Sequence, residues 1–156
     1  MIRLIASDMD GTILRDGAQT LPPRIIPILH GLIGQGFLFT AASGRQYANL
    51  RRLMGPLSDD VDYVCENGAF AVHKGEIIYK AVLDRELGQE LMADILAVPD
   101  CEVQLSGVDT AYIQPKRPAY TEHLRYVLKN KITEVDDIFS TSEDYIKISA
   151  YVHGDR

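Results

Sequence analysis

The sequence lacks a long hydrophobic run, a cysteine framework and any excess of basic charge, and each absence removes a class of function. No apolar stretch approaches the roughly 20 residues that a membrane-spanning helix needs. The apolar run Met1 to Ala6 is interrupted by Asp8 and Asp10, so it is too short for a signal h-region and has no small-residue cleavage pattern. No membrane partner is expected. The two cysteines, Cys65 and Cys101, stand far apart beside apolar residues, which argues for core thiols in a reducing, cytoplasmic setting rather than a disulfide framework or a close metal pair. With 16 Lys+Arg against 22 Asp+Glu and a net charge of −6, no broad basic face is available for a nucleic-acid backbone. Internal repeats and low-complexity linkers are absent as well.

What is present is enough apolar material for a real core: 46% of 156 residues are hydrophobic and 24% charged. The charge is uneven, with 7 basic and 8 acidic residues over 1–78 and 9 and 14 over 79–156, which hints at two regions. The pattern of residues 1–65 reads strand, helix, strand, helix, strand. Ile2–Ala6, Phe37–Ala42 and Val61–Cys65 are the apolar runs, and helices are expected from Pro23 to Gly36 and after Arg45. Pro27 is expected to weaken the first of these helices. This is the pattern of a doubly wound parallel sheet with right-handed crossovers, which puts its chemistry at the carboxyl ends of the strands. Those ends are Asp8, Ser43 and Asn67. A hairpin over Phe70–His73 and Glu76–Tyr79 follows.

After about residue 82 the pattern changes to α+β. Asp84 is expected to cap a helix with Leu87, Leu91 and Ile95 on one face, followed by short strands around Val103–Leu105 and Tyr112–Gln114. A second helix is expected to group Tyr120, Leu124, Val127 and Leu128, and a half-buried strand to carry Ile146, Ile148, Ala150 and Val152.

The most informative stretch is Asp8-Met9-Asp10-Gly11-Thr12-Ile13-Leu14. Two carboxylates two positions apart at a strand end are spaced by roughly 7 Å if extended, which leaves room for a phosphoryl group. A plain turn at Asp10-Gly11 with Asp8 as its cap is the alternative. Ser43-Gly44-Arg45 sits where a strand gives way to a helix, so a hydroxyl and backbone amides can converge on an anion. A simple serine helix cap is the alternative there. Placing both segments at the ends of neighbouring parallel strands strengthens the chemical reading of each.

These residues resemble the haloacid dehalogenase-like (HAD) superfamily, specifically its Cof-type subfamily IIB of phosphatases with a cap inserted after the third core strand. Asp8 to Leu14 is similar to the first motif of that family, Thr40 to Arg45 to the second, with Ser43 where Thr is more usual, and Glu66-Asn67-Gly68-Ala69 to the turn after the third strand. The resemblance implies a HAD-like Rossmannoid core with an inserted α+β cap. Residues 1–81 would be the N-terminal part of the core and 82–156 the first part of the cap, both incomplete.

It also implies a Mg²⁺-dependent phosphomonoester hydrolase acting on a small phosphorylated metabolite through an aspartyl-phosphate. In that reading Asp8 is the nucleophile and Asp10 the general acid and base. Mg²⁺ uses the Asp8 carboxylate and the Asp10 backbone carbonyl. Gly11, Thr12, Ser43 and Gly44 bind phosphate, and Arg45 and Asn67 line the substrate rim. Two family features are missing, a lysine from a later core strand and an acidic loop completing the Mg²⁺ shell; Gly154-Asp155-Arg156 only begins like that loop and reads as a turn.

A phosphoryl-accepting receiver module is the competing reading, disfavoured because its acceptor ends strand three, where this chain has Cys65-Glu66-Asn67. A truncated or proteolysed HAD-like fragment, or a phosphate-binding module, is a further alternative. His30, His73, His123 and His153 have no zinc-like spacing. An incomplete sheet exposes apolar surface and an unpaired edge, a route to self-association.

Overall fold

A computed structural model describes residues 3–154; Ile2 and the Asp155-Arg156 pair of the chain-end turn lie outside them. The chain divides between Lys80 and Ala81 into two compact units.

The first unit is a five-stranded sheet in the order β1-β2-β3-β4-β5. Strands β1 (Leu4–Asp8), β2 (Leu38–Ala42) and β3 (Asp62–Cys65) are parallel. The expected hairpin, β4 (Phe70–His73) and β5 (Glu76–Lys80), adds two antiparallel strands. Helices α1 (Ile25–Gly34) and α2 (Tyr47–Met54) form the crossovers. The α2 helix buries Leu50, Leu53 and Met54, an i, i+3, i+4 stripe, and packs on β3, where its Tyr47 ring meets Tyr63 edge-on. It stops at Gly55, whose φ of +54° suits glycine. Pro27 falls in the first turn of α1, where its missing N–H removes no intrahelical hydrogen bond, so the helix starts at Ile25 undisturbed. The register Asp8↔Ala42 brings the ends of β1 and β2 level, so the loops that follow them leave the same edge of the sheet side by side.

The second unit is a four-stranded sheet in the order β8-β7-β6-β9, made of β6 (Cys101–Ser106), β7 (Ala111–Ile113), β8 (Ile132–Glu134) and β9 (Lys147–Val152). Helix α3 (Arg85–Ala97) begins at Asp84, whose carboxylate accepts the Leu87 N–H. Central strand β6 is buried along its whole length. Val103 and Leu105 face a core with Met92, Ile138 and Tyr145, while Ile113 packs with Tyr120 and Leu124 in a second core.

Three sequence expectations shift in this unit. On α3 the buried residues are Gly88 and Met92, whereas Leu87 and Leu91 are exposed, because the helix turns its glycine toward the Tyr145 ring. Helix α4 (Pro118–Glu122) widens into a π-helical turn over His123–Val127. The wider turn takes Val127 and Leu128 off the buried face of Tyr120 and Leu124. Ile146, just before β9, is buried and Ile148 on β9 packs into the first core, while Ala150 and Val152 are exposed. No helix among the described residues is long and apolar enough to cross a membrane.

Candidate active site

Because β1, β2 and β3 are parallel, Asp8, Ser43 and Asn67 all lie at one end of the first sheet. The chain after Asp8 folds back at once. The Met9 carbonyl accepts the N–H groups of Ile13 and Leu14 at 3.1 and 2.7 Å, and the Gly11 N–H donates to the Leu14 carbonyl at 2.7 Å. Met9 and Leu14 are buried and anchor this loop, while Asp8, Asp10, Gly11 and Thr12 stay exposed. Gly11, at φ +85°, takes a left-handed turn that an L side chain resists. The Thr12 hydroxyl donates to Asp8 Oδ2 at 2.9 Å. The Gly11 amide is therefore turned into the loop, and its part in the loop is the turn itself.

The second loop is held by the third. Ser43 N–H donates to the Val64 carbonyl at 3.0 Å, Glu66 N–H to the Arg45 carbonyl at 3.1 Å and Asn67 N–H to the Ser43 carbonyl at 3.3 Å. Glu66, Asn67 and Gly68 all have positive φ, of 51°, 61° and 89°, a run that asparagine and glycine accommodate and a buried glutamate does not adopt freely. A Cβ on Gly44 would collide with the Asn67 side-chain amide, so glycine at 44 lets the two loops close on each other. Ser43 lies ahead of Gln46, the N-cap position of α2, so it is not the cap of that helix. Its Oγ accepts the Arg45 N–H at 3.1 Å and donates to Asp10 Oδ2 at 3.0 Å.

Arg45 joins the first two loops. Its Nε and Nη2 reach both Asp10 oxygens at 2.8 to 3.1 Å, the forked geometry that makes arginine–carboxylate pairs directional. Its Nη1 donates to Gln19 Oε1 at 2.9 Å and Asn49 Oδ1 at 3.2 Å. With only 15% of its side chain exposed, Arg45 is a clamp inside the site rather than a free residue at its rim. The Arg45 guanidinium holds the Asp10 carboxyl below its usual range; partial burial acts the other way, and the Ser43 hydroxyl adds to the lowering. Arg52 extends the network through Nη2 to Asn49 Oδ1 at 3.0 Å and Nη1 to the Gln19 carbonyl at 3.1 Å.

Asp10, Ser43 and Arg45 are thus in direct contact, Asp8 and Thr12 pair with each other, and Asn67 braces Gly44. Gln19, Asn49 and Arg52 were not singled out from the sequence. Asn49 stands four residues after Arg45, the spacing that would have pointed to it, whereas Gln19 comes from a loop with no pattern.

The donors suited to a metal are oxygens. Asp8 Oδ1 accepts no hydrogen bond among the described residues, and the Asp10 backbone carbonyl is nearby in the chain. Among those residues no three His, Cys, Asp or Glu side chains gather. One carboxylate and one carbonyl, with phosphate and water oxygens as the remaining ligands, match how Mg²⁺ is commonly held.

The sequence pattern of the haloacid dehalogenase-like hydrolases matches residues 5–156. Over 146 residues the chain is 29% identical to the 5-amino-6-(5-phospho-D-ribitylamino)uracil phosphatase YbjI of Escherichia coli strain K12, covering 88% of this chain and 53% of that protein. A solved structure from Eubacterium rectale superposes with a TM-score of 0.80 at 27% identity, over 96% of this chain and 57% of that one. The fold of the HAD subclass IIB sugar phosphatase BT4131 also matches, with a TM-score of 0.68 at 22% identity, over 85% of this chain and 52% of the other. The chain therefore spans about half the length of these relatives. Asp8 at the end of β1 and Asp10 on the loop after it, beside a Ser-Gly-Arg loop after β2 on a parallel sheet, agree with the family match over residues 5–156, and the chain belongs to the haloacid dehalogenase-like hydrolases.

Proposed function

We propose that the chain carries the nucleophile-bearing part of a Mg²⁺-dependent phosphomonoester hydrolase of subclass IIB, with residues 1–81 in the core and 82–156 in the cap. The observation that carries this reading is the direct joining of the two motif loops, Ser43 Oγ and Arg45 both on Asp10, beside an Asp8 carboxylate with one oxygen unpartnered among the described residues. An Asp8 oxygen attacks phosphorus, the phosphorus–oxygen ester bond breaks, and the leaving oxygen takes a proton from Asp10. Water then attacks the aspartyl-phosphate, Asp10 takes its proton, and Asp8 is released with inorganic phosphate.

The two steps ask opposite things of Asp10. The clamp by Arg45 favours the deprotonated carboxylate, the form needed to activate water. The first step needs the acid, so substrate must loosen the Arg45–Asp10 pair when it arrives. Thr12 steadies Asp8 through Oδ2, and Thr12, Ser43 and Gly44 are the phosphate-binding residues of this reading, the Ser43 hydroxyl exchanging its bond to Asp10 for one to phosphate as the Arg45–Asp10 pair loosens. The Asp8 carboxylate and the Asp10 carbonyl would hold Mg²⁺, which when bound would neutralise charge between carboxylate and phosphate.

The substrate class is a small phosphorylated metabolite, supported by a relative named for a phosphoribitylaminouracil and a fold relative named a sugar phosphatase. The free thiols of Cys65 and Cys101 fit a reducing cytoplasm. The test is Mg²⁺-dependent turnover of p-nitrophenyl phosphate by the complete protein, with whole core and cap, since these 156 residues by themselves lack the lysine and acidic loop the reaction calls for. Asp8→Asn is expected to lower kcat by about 10³ or more, as loss of a covalent nucleophile does; retained turnover would overturn the assignment.

A further inference from the structure

Beside the reactive loop, within the first unit, lies a pocket of about 260 Å³ that shares only Thr12 with the phosphatase reading. Its walls include Ile13, Pro22 and Ile25, with Arg15 and Arg24 among its lining residues. Asp8, Asp10, Ser43 and Arg45 do not line it. Both arginines are exposed, and neither guanidinium makes a hydrogen bond or ion pair among the described residues. This contrasts with Arg45, Arg51, Arg117 and Arg125 of the same chain, each paired with a carboxylate. Asp16, next to Arg15 in sequence, does not line the pocket either.

An apolar hollow with two uncompensated guanidiniums has a definite chemical complement. A guanidinium fork matches a planar carboxylate or a tetrahedral phosphate, and the isoleucine and proline surface gains by covering a carbon skeleton. The volume lies just below the roughly 300–1,000 Å³ of pockets for drug-sized ligands, which suits a body of one ring. We propose that this pocket binds a small organic anion, a carboxylate or phosphate-type head on an apolar body, held at the head by Arg15 and Arg24 and at the body by Ile13, Pro22 and Ile25. The site is separate from the one at which phosphoryl transfer is proposed, though Thr12, which donates to Asp8, belongs to both.

The test reads the δ1-methyl resonances of Ile13 and Ile25 in the full chain during titration with benzoate, phenylphosphonate and the uncharged control benzyl alcohol. Saturable shifts with at least one anion are expected, the tighter of the two identifying the head group. Binding should weaken at least 10-fold in the double variant Arg15→Gln/Arg24→Gln, whose other methyl resonances report an intact fold. Absence of any saturable shift, benzyl alcohol binding as tightly as the anions, or undiminished binding in the double variant would each overturn the proposal. The same titration on Asp8→Asn is expected to give unchanged methyl shifts, so the pocket stands or falls apart from the phosphatase reading.

Discussion

Arg45 directs its side chain inward, with Asp10 on one side of the guanidinium and Gln19 and Asn49 on the other. A second buried group, Cys65 at the end of β3, is chemically quieter: burial pushes its thiol up to about 12, with the Glu66 carboxylate adding to the shift. At pH 8 only about one thiol in 10⁴ is then ionised, and the thiolate is the reactive form. Iodoacetamide at pH 8 should leave Cys65 unmodified in the native chain and alkylate it in urea, as read by peptide mass. The same shift has a sign for stability. Above about 9, the ordinary thiol value, the unfolded state loses its proton while the native state keeps it, so native stability falls as pH rises toward 12. The urea midpoint should therefore decline less steeply between pH 8.5 and 10.5 in Cys65→Ala than in the parent chain; equal slopes would contradict the assignment. Asp8, Asp10, Ser43 and Arg45 were legible in the sequence because short motifs at strand ends carry them. The inward turn of Arg45 was not, since its partner Gln19 lies 26 residues away in a loop without periodicity.

Helix α3 shows how packing overrides an apolar stripe. Leu87, Leu91 and Ile95 form one regular row and Gly88, Met92 and Ile95 an adjacent one, so the sequence offers two faces that differ by a small rotation. The structure buries the second, because a ring as large as Tyr145 needs the space that only a glycine leaves: a Cβ at position 88 would lie 2.6 Å from Tyr145 Cδ2. Gly88→Ala gains up to about 1 kcal/mol of intrinsic helix propensity and meets an overpacking cost of about 1–3 kcal/mol. A net loss of about 1 kcal/mol is expected in urea unfolding, and a stabilised variant would show that the ring moves freely. The parallel strands and the hairpin of the first unit were readable because each is an apolar run bounded by turn residues. Strand β8, three residues reading Ile-Thr-Glu, was missed because so short a segment has no period, and its pairing with β7 is decided by tertiary contact alone.

The first sheet ends at β5, whose Ile77, Ile78 and Tyr79 are 46%, 66% and 57% exposed. At its other end the in-register pair Leu4 and Leu38 is exposed as well. Exposed apolar edge strands promote pairing between molecules, and a single lysine on such a strand opposes it. Sedimentation velocity of the full chain should show association that grows with concentration and is reduced in Ile78→Lys; a parent chain that stays monomeric at every concentration would rule this route out.

The cross-bracing of the three loops has a thermodynamic consequence for whatever the site receives. Asn67 and Glu66 fix the backbone of Ser43 and Arg45, and Asn49 and Gln19 fix the arginine's far end, so its rotamers are already restricted when the sheet forms. A ligand reaching Asp10 meets a side chain with little disorder left to surrender. The entropy of ordering Arg45 is thus charged to folding rather than to association.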